Sequence, residues 1–144
     1  MNAKGRIAGI DFGQKRIGIA VSDERQIFAQ PLFCILAEKT VDATIKLIHV
    51  KLDIYQPLEK IVIGLPLHLN GKESPLSIEV RAFAQKLEEI FQIPIILWDE
   101  RLTSCQVERT LKEAEFSRKK RSTLIDAMAA AAILQNFLDS SLRS

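Results

Sequence analysis

The spacing of apolar residues changes character near residue 40, and that change restricts the fold more than any other feature of the chain. Before it, apolar residues come in short runs, Ile7–Ile10 and Ile17–Val21, with a weaker third run at Pro31–Leu36. Runs of this length, separated by Phe12-Gly13-Gln14-Lys15 in the first case, read as strands joined by a hairpin. Pro31 marks the third as a strand start or sheet edge. After it, Val41, Ile45, Ile48, Leu52 and Tyr55 recur at steps of four and three, the period of an amphipathic helix, which Pro57 stops. Strand and helix patterns then alternate. Ile61–Leu65 is a strand. Ser74 caps a helix that has Pro75 in its first position and Ile78, Phe83, Leu87, Ile90 and Phe91 on its apolar face. Ile93–Trp98 is the next strand. Thr103 with Gln106 opens a further helix bearing Val107, Leu111 and Ala114. Phe116–Arg121 is a basic loop, and the last helix runs from about Ser122 to Leu138.

The resulting order is β-β-β-α-β-α-β-α-α. Strands linked through helices pair in parallel, so those at Ile7, Ile61 and Ile93 belong together, with the early hairpin strands extending the sheet. This is an α/β architecture, and the 144 residues suit one domain spanning 1–144. Open sheets of this kind place their sites at the carboxyl ends of parallel strands.

Three acids stand at such ends or beside strongly apolar segments: Asp11, Glu100 and Asp126. A carboxylate is costly to bury without a partner. Carboxylates converging from distant parts of a chain form an oxygen-ligand site suited to Mg²⁺ or Mn²⁺. Asp11 is followed by Gly13, which permits close backbone approach, and by Lys15, which can meet a phosphate. Asp99 and Glu100 are adjacent and should point to different faces of the sheet. One of them can face the site while the other pairs with Arg101 or caps the next helix. Asp126 shares a helix face with Ala129, Ala130, Ile133 and Phe137. Small alanines there let the helix lie close to the sheet, which would bring Asp126 near Asp11.

Net charge is only +2, so any nucleic-acid surface depends on local clustering. Arg118-Lys119-Lys120-Arg121, just ahead of Asp126, is the obvious cluster, and Lys15, Arg16 and Arg101 flank the other acids. Cys34 and Cys105 lack metal-type spacing and read as buried free thiols. His49 and His68 have no partner at ligand spacing and read as structural or surface residues. Met1–Gly5 leads straight into a strand with no signal peptide, and the longest apolar runs, such as Ala127–Leu134, are too short to span a bilayer. The expected location is the cytoplasm.

With those residues in place, the chain resembles the YqgF family of bacterial RNase H-like proteins (RuvX-like). The likeness covers Gly9-Ile10-Asp11-Phe12-Gly13 with Lys15 and Gly18, then Gly64-Leu65-Pro66 with Asn70-Gly71. It continues through Trp98-Asp99-Glu100-Arg101-Leu102-Thr103 and ends with Ser117-Arg118, Lys120-Arg121, Ile125-Asp126, Met128-Ala129-Ala130 and Ile133-Leu134. The resemblance implies an RNase H-like mixed five-stranded sheet flanked by helices, a three-strand antiparallel meander followed by two parallel strands. It selects Asp11, Glu100 and Asp126 as the catalytic and metal-binding acids. Many relatives carry Asp-Gly where this chain has Asn70-Gly71, so Asn70 receives no metal role. Relatives often place a Lys within three residues before the last acid, where this chain has Thr123, Leu124 and Ile125.

The implied activity is metal-dependent hydrolysis of phosphodiester bonds, with two Mg²⁺ or Mn²⁺ ions. The substrate is structured RNA in maturation of the 5′ end of 16S ribosomal RNA, in contact with ribosomal assembly particles, or else branched DNA in Holliday-junction resolution. Symmetric junction cleavage needs a homodimer, whereas RNA cleavage is open to a monomer. A non-catalytic RNA-binding assembly module is the alternative from another class. An actin-like sugar kinase would need a second domain.

Overall fold

The computed structural model of the chain describes residues 5–102 and 118–142, and for residues 118–124 and 142 the backbone alone. Three strands open it: β1 (Arg6–Phe12), β2 (Arg16–Ser22) and β3 (Ala29–Leu36). β1 and β2 form the expected hairpin, with Asp11 opposite Gly18 and Phe12 opposite Ile17. β3 pairs antiparallel with the far side of β2 and occupies the sheet edge. An edge tolerates Pro31, which has no N–H to give to a ladder.

α1 (Val41–Leu52) begins on Thr40, whose hydroxyl accepts from the Ala43 amide. It ends one turn sooner than the apolar spacing suggests, because Asp53–Tyr55 tighten into a 3₁₀ turn ahead of Pro57. β4 (Leu58–Leu65) follows. α2 (Pro75–Phe91) starts as expected on Ser74. The Ser74 hydroxyl accepts from the Ser77 amide at 2.9 Å, and the Ser77 hydroxyl accepts from the Ser74 amide at 2.8 Å. This reciprocal cap satisfies two otherwise orphaned donors. The apolar face of α2 is Val80, Phe83, Ala84, Leu87 and Phe91; Ile78, expected there, is 61% exposed. β5 (Ile95–Asp99) leads into a 3₁₀ turn at Glu100–Leu102.

The last element is α3 (Arg118–Leu142). Its start corrects the sequence reading. Arg118, Lys119, Lys120 and Arg121 are not in a loop but form the first turn of this helix, since nothing among those four residues breaks helical geometry. The expected helix bearing Val107, Leu111 and Ala114, its Thr103 cap and Cys105 lie outside the described residues.

The sheet order is β3-β2-β1-β4-β5, with β1, β4 and β5 parallel as their helical connections require. Alternation splits the core in two. On one face Ala8, Ile10, Ile17, Ile19, Ile61 and Ile63 pack with α1 and α2. On the other, Ile7, Ala20 and Val62 pack with Ala130, Ile133, Leu134 and Leu138 of α3. Each fully buried Ile or Leu stabilises the fold by roughly 1.5–3 kcal/mol relative to exposure, so the central strands are the firmest part of the molecule. His49 packs its ring on Phe91 at 4.8 Å, as a structural residue would. Among the described residues no helix is long and apolar enough to cross a membrane.

Candidate active site

The face of the sheet under α3 is cleared by glycines. Alternation sends Gly9 and Asp11 of β1, Gly18 of β2 and Gly64 of β4 to this face. A Cβ on Gly18 would stand 1.9 Å from the Asp126 carbonyl oxygen. On Gly9 it would stand 2.7 Å from the Leu134 Cβ and 3.1 Å from the Ala130 carbonyl oxygen. On Gly64 it would stand 2.5 Å from the Glu100 Oε1 and 2.7 Å from the Ile133 Cδ1. The missing side chains let α3 rest on the sheet backbone. The alanines of α3 had suggested this approach; the glycines on the sheet complete it. Their signal was legible, since glycine inside a strand marks close approach of another chain segment.

These contacts set the places of the three acids. Asp11 sits directly opposite Gly18, and Ile10 is opposite Ile63, so the next place along β4 beside Asp11 is Gly64. Asp126 covers Gly18 and Glu100 covers Gly64. Asp11 therefore occupies one row of the sheet between two glycines, each overlain by another of the acids. Among the described residues no three His, Cys, Asp or Glu side chains are gathered tightly enough to hold a metal ion as they stand.

The two adjacent acids at the end of β5 divide: Asp99 closes the strand and Glu100 opens the 3₁₀ turn, where it lies over Gly64. Asp99 receives the Arg101 Nε at 3.1 and 3.0 Å, its Nη2 at 2.6 Å and its backbone amide at 2.9 Å. The Arg101 hydrogen bonds, foremost among several influences, hold the Asp99 carboxyl below its ordinary range. Arg101 also donates from Nη1 to the Leu69 carbonyl at 3.1 Å and passes close to Gly71. Its guanidinium thus joins the end of β5 to the Asn70-Gly71 turn, an engagement the sequence reading of a phosphate contact did not include.

The basic residues fall at different distances from the acids. Lys15 and Arg16 are exposed at the β1–β2 turn, whose Gln14 donates to Glu79 Oε1 of α2 at 2.9 Å. Arg16 lies near enough to influence Cys34 electrostatically. Arg118, Lys119, Lys120 and Arg121 lie one and a half to two turns ahead of Asp126 on the same helix, about 7–12 Å along its axis. Cys34 of β3 was expected to be buried and is half-buried; its Sγ donates to the Asp126 Oδ2 at 3.4 Å. Burial first, and then the charge of Asp126, push this thiol up to about 11. Sequence reasoning missed the contact. No local pattern links residues 34 and 126, but Cys34 is the cross-strand neighbour of Gly18, the residue Asp126 covers.

Residues 5–140 match the profile of the RuvX family, described as Holliday junction resolvase. The chain belongs to the RuvX family. The resemblance carried by its four motifs is thereby borne out. A relative from Protochlamydia amoebophila, named "Putative pre-16S rRNA nuclease", is 49% identical over 140 residues and covers 94% of this chain and 93% of its own length. One of the same name from Syntrophomonas wolfei is 46% identical over 134 residues, covering 93% and 94%. Among solved structures, Thermus thermophilus RuvC in complex with a Holliday junction superposes with a TM-score of 0.55 at 15% identity, covering 96% of both chains. The Fowlpox virus resolvase in complex with junction DNA gives 0.57 at 13% identity, covering 95% of this chain and 99% of its own. At such identities the superpositions speak to the fold alone. The RuvX chain has the RNase H-like architecture of these resolvases, with the expected mixed five-stranded sheet.

Proposed function

We propose that this protein is a divalent-metal-dependent endonuclease that hydrolyses phosphodiester bonds of structured RNA, acting at the 5′ end of precursor 16S ribosomal RNA. The observation that carries this reading is the placement of Asp11 between Gly18 and Gly64, with Asp126 over one glycine and Glu100 over the other. The names of the relatives supply the substrate.

The donor set fits a hard cation. All three candidate groups are carboxylates, which suit Mg²⁺ or Mn²⁺, and no thiolate or imidazole stands among them. Drawing three like charges together is unfavourable without a cation, so metal binding and closure of the carboxylates would be one event. Asp11, Glu100 and Asp126 would hold the ions. Bound there, two ions would lower the pKa of a water and stabilise charge on the leaving oxygen. A P–O bond to water forms and the P–O3′ bond breaks, leaving a 5′-phosphate and a 3′-hydroxyl.

The rest of the work falls to the chain itself. The glycine-cleared sheet fixes the backbones that carry Asp11 and Asp126. Asp99 takes up Arg101, while Glu100 lies over Gly64 on the α3 face. Lys15, Arg16 and the 118–121 turn would position the phosphate backbone, giving affinity with little reading of sequence. The Arg101 N–H groups that have no partner among the described residues would add a contact from its tethered position.

The family's description favours a second reading, resolution of four-way DNA junctions by a homodimer. One experiment separates them: purified protein is offered precursor 16S rRNA and a four-way DNA junction side by side, with Mg²⁺, Mn²⁺ or EDTA. Metal-dependent cleavage of the RNA is expected, and exclusive cleavage of the junction would replace this proposal with the second. RNA binding without cleavage under any metal would leave a non-catalytic assembly module. Action on precursor rRNA would place the protein in the cytoplasm among assembling ribosomal particles.

A further inference from the structure

We infer that Cys34 is a positioning residue for Asp126, holding that carboxylate by one oxygen through a thiol hydrogen bond. The inference rests on the nuclease reading above and adds to it a group from the edge strand.

The main chain of Asp126 is already fixed. Its carbonyl rests on Gly18, with Asp11 on one side of that glycine in β1 and Cys34 on the other in β3. Its side chain still has two rotatable bonds, and contact with Gly18 does not choose between their settings. Cys34 does choose. The Sγ lies 3.4 Å from Oδ2, within hydrogen-bonding reach for sulfur. An ionised carboxylate can only accept, so the proton belongs to the thiol. Outer partners of this kind fix ligand orientation at metal sites. A thiol is a weak donor, but it needs to bias only a short side chain whose backbone is pinned.

The rival account is packing: Cys34 fills the space between the edge strand and α3, and its hydrogen bond is incidental. Two substitutions divide the accounts. Cys34→Ser keeps a donor at the same place. Cys34→Val fills the space, favours a strand and donates nothing. Both proteins, with wild type, are titrated with Mn²⁺ by calorimetry, and Mg²⁺ activation of cleavage is measured in parallel. Thermal melting without metal checks the fold, and Cys34→Ala stands in for Val if that variant does not fold. If Cys34 positions Asp126, Val weakens Mn²⁺ binding about tenfold, the low end for loss of an outer partner. It raises the Mg²⁺ midpoint with it, and Ser stays close to wild type. A folded Val variant with wild-type Mn²⁺ affinity overturns the inference, as does a Ser variant that loses as much as Val. Wild type that binds no Mn²⁺ and cleaves nothing overturns the nuclease reading itself, a result distinct from either.

Discussion

Gly18→Ala is the smallest change that should separate α3 from the sheet. The added Cβ would lie 1.9 Å from the carbonyl oxygen of Asp126, 2.4 Å from its carbonyl carbon and 3.1 Å from the Ala127 nitrogen, whereas ordinary contact begins at 3.4 Å. All three opposing atoms are backbone, so no flexible side chain can yield. Either α3 lifts by about 1.5 Å at Asp126 or β2 bows away by the same amount. Overpacking of this kind costs about 1–3 kcal/mol. A backbone atom at 1.9 Å puts this case at the upper end of that range, and removing a glycine from the unfolded chain returns at most about 1 kcal/mol, so a net loss of about 2 kcal/mol remains. For a chain of this size the melting temperature should fall by roughly 4–8 °C. The same displacement moves Asp126 relative to Asp11, and a misplacement near 1 Å costs about 100-fold in rate. The assay is single-turnover cleavage of precursor RNA at saturating Mg²⁺, alongside a melting curve. A variant that melts and cleaves like wild type would refute the claim that α3 rests on the backbone at Gly18.

Three further outcomes follow from the site. Mg²⁺ should raise the melting temperature of the wild-type protein, because a ligand that binds the native state stabilises it. Asp126→Asn should lose that response while leaving the metal-free protein as stable or more so, and a folded variant with the full Mg²⁺ shift would exclude Asp126 as a ligand. Replacing Arg118, Lys119, Lys120 and Arg121 by Ser should flatten the salt dependence of RNA affinity by about 0.7 for each phosphate no longer neutralised on single strands, or about 0.9 on duplex DNA; unchanged slope and affinity would make the turn a solubilising surface. The Asp99–Arg101 fork should respond to acid: a carboxyl held below its ordinary value contributes stability that is present above that value of 3.8 and is lost as pH falls through the lower, folded-state value. A carboxyl NMR titration should find Asp99 titrating below its ordinary value of 3.8, and Arg101→Ala should move it back up.

The order and type of most elements were legible because each obeys a local rule. The β1–β2 hairpin, the Ser74 cap with Pro75, and the parallel pairing of β1, β4 and β5 all follow from period, turn chemistry or connection geometry, and Pro31 narrowed β3 to a strand start or a sheet edge, of which the structure has the edge. The misjudged features depend on tertiary neighbours. Ile78 has the right spacing for the α2 core but faces solvent, because the sheet beneath α2 engages Val80, Phe83 and Leu87. The start of α3 was missed because a run of four cations resembles a loop, although Lys and Arg are good helix formers. The division of labour between Asp99 and Glu100 was readable from strand alternation up to a two-fold choice. Family resemblance favoured Glu100, and Arg101 is found on Asp99. The Cys34–Asp126 contact joins positions 92 residues apart and leaves no trace in local pattern.

Asp126 belongs to the last element, while Asp11 belongs to the first. During synthesis all five strands of the sheet and both helices on its far face emerge before α3, and domains begin folding from the N-terminal side as they appear. A nascent chain that has formed β1 to β5 would carry Asp11 and Glu100 at the sheet end, yet the glycine row would still lack the helix that covers it. Under the nuclease reading, such a chain is inert toward the ribosomal RNA of the ribosome that is making it. Activity would begin only when the final helix is free to dock, so the order of the acids along the chain acts as a timer on the enzyme's own birth.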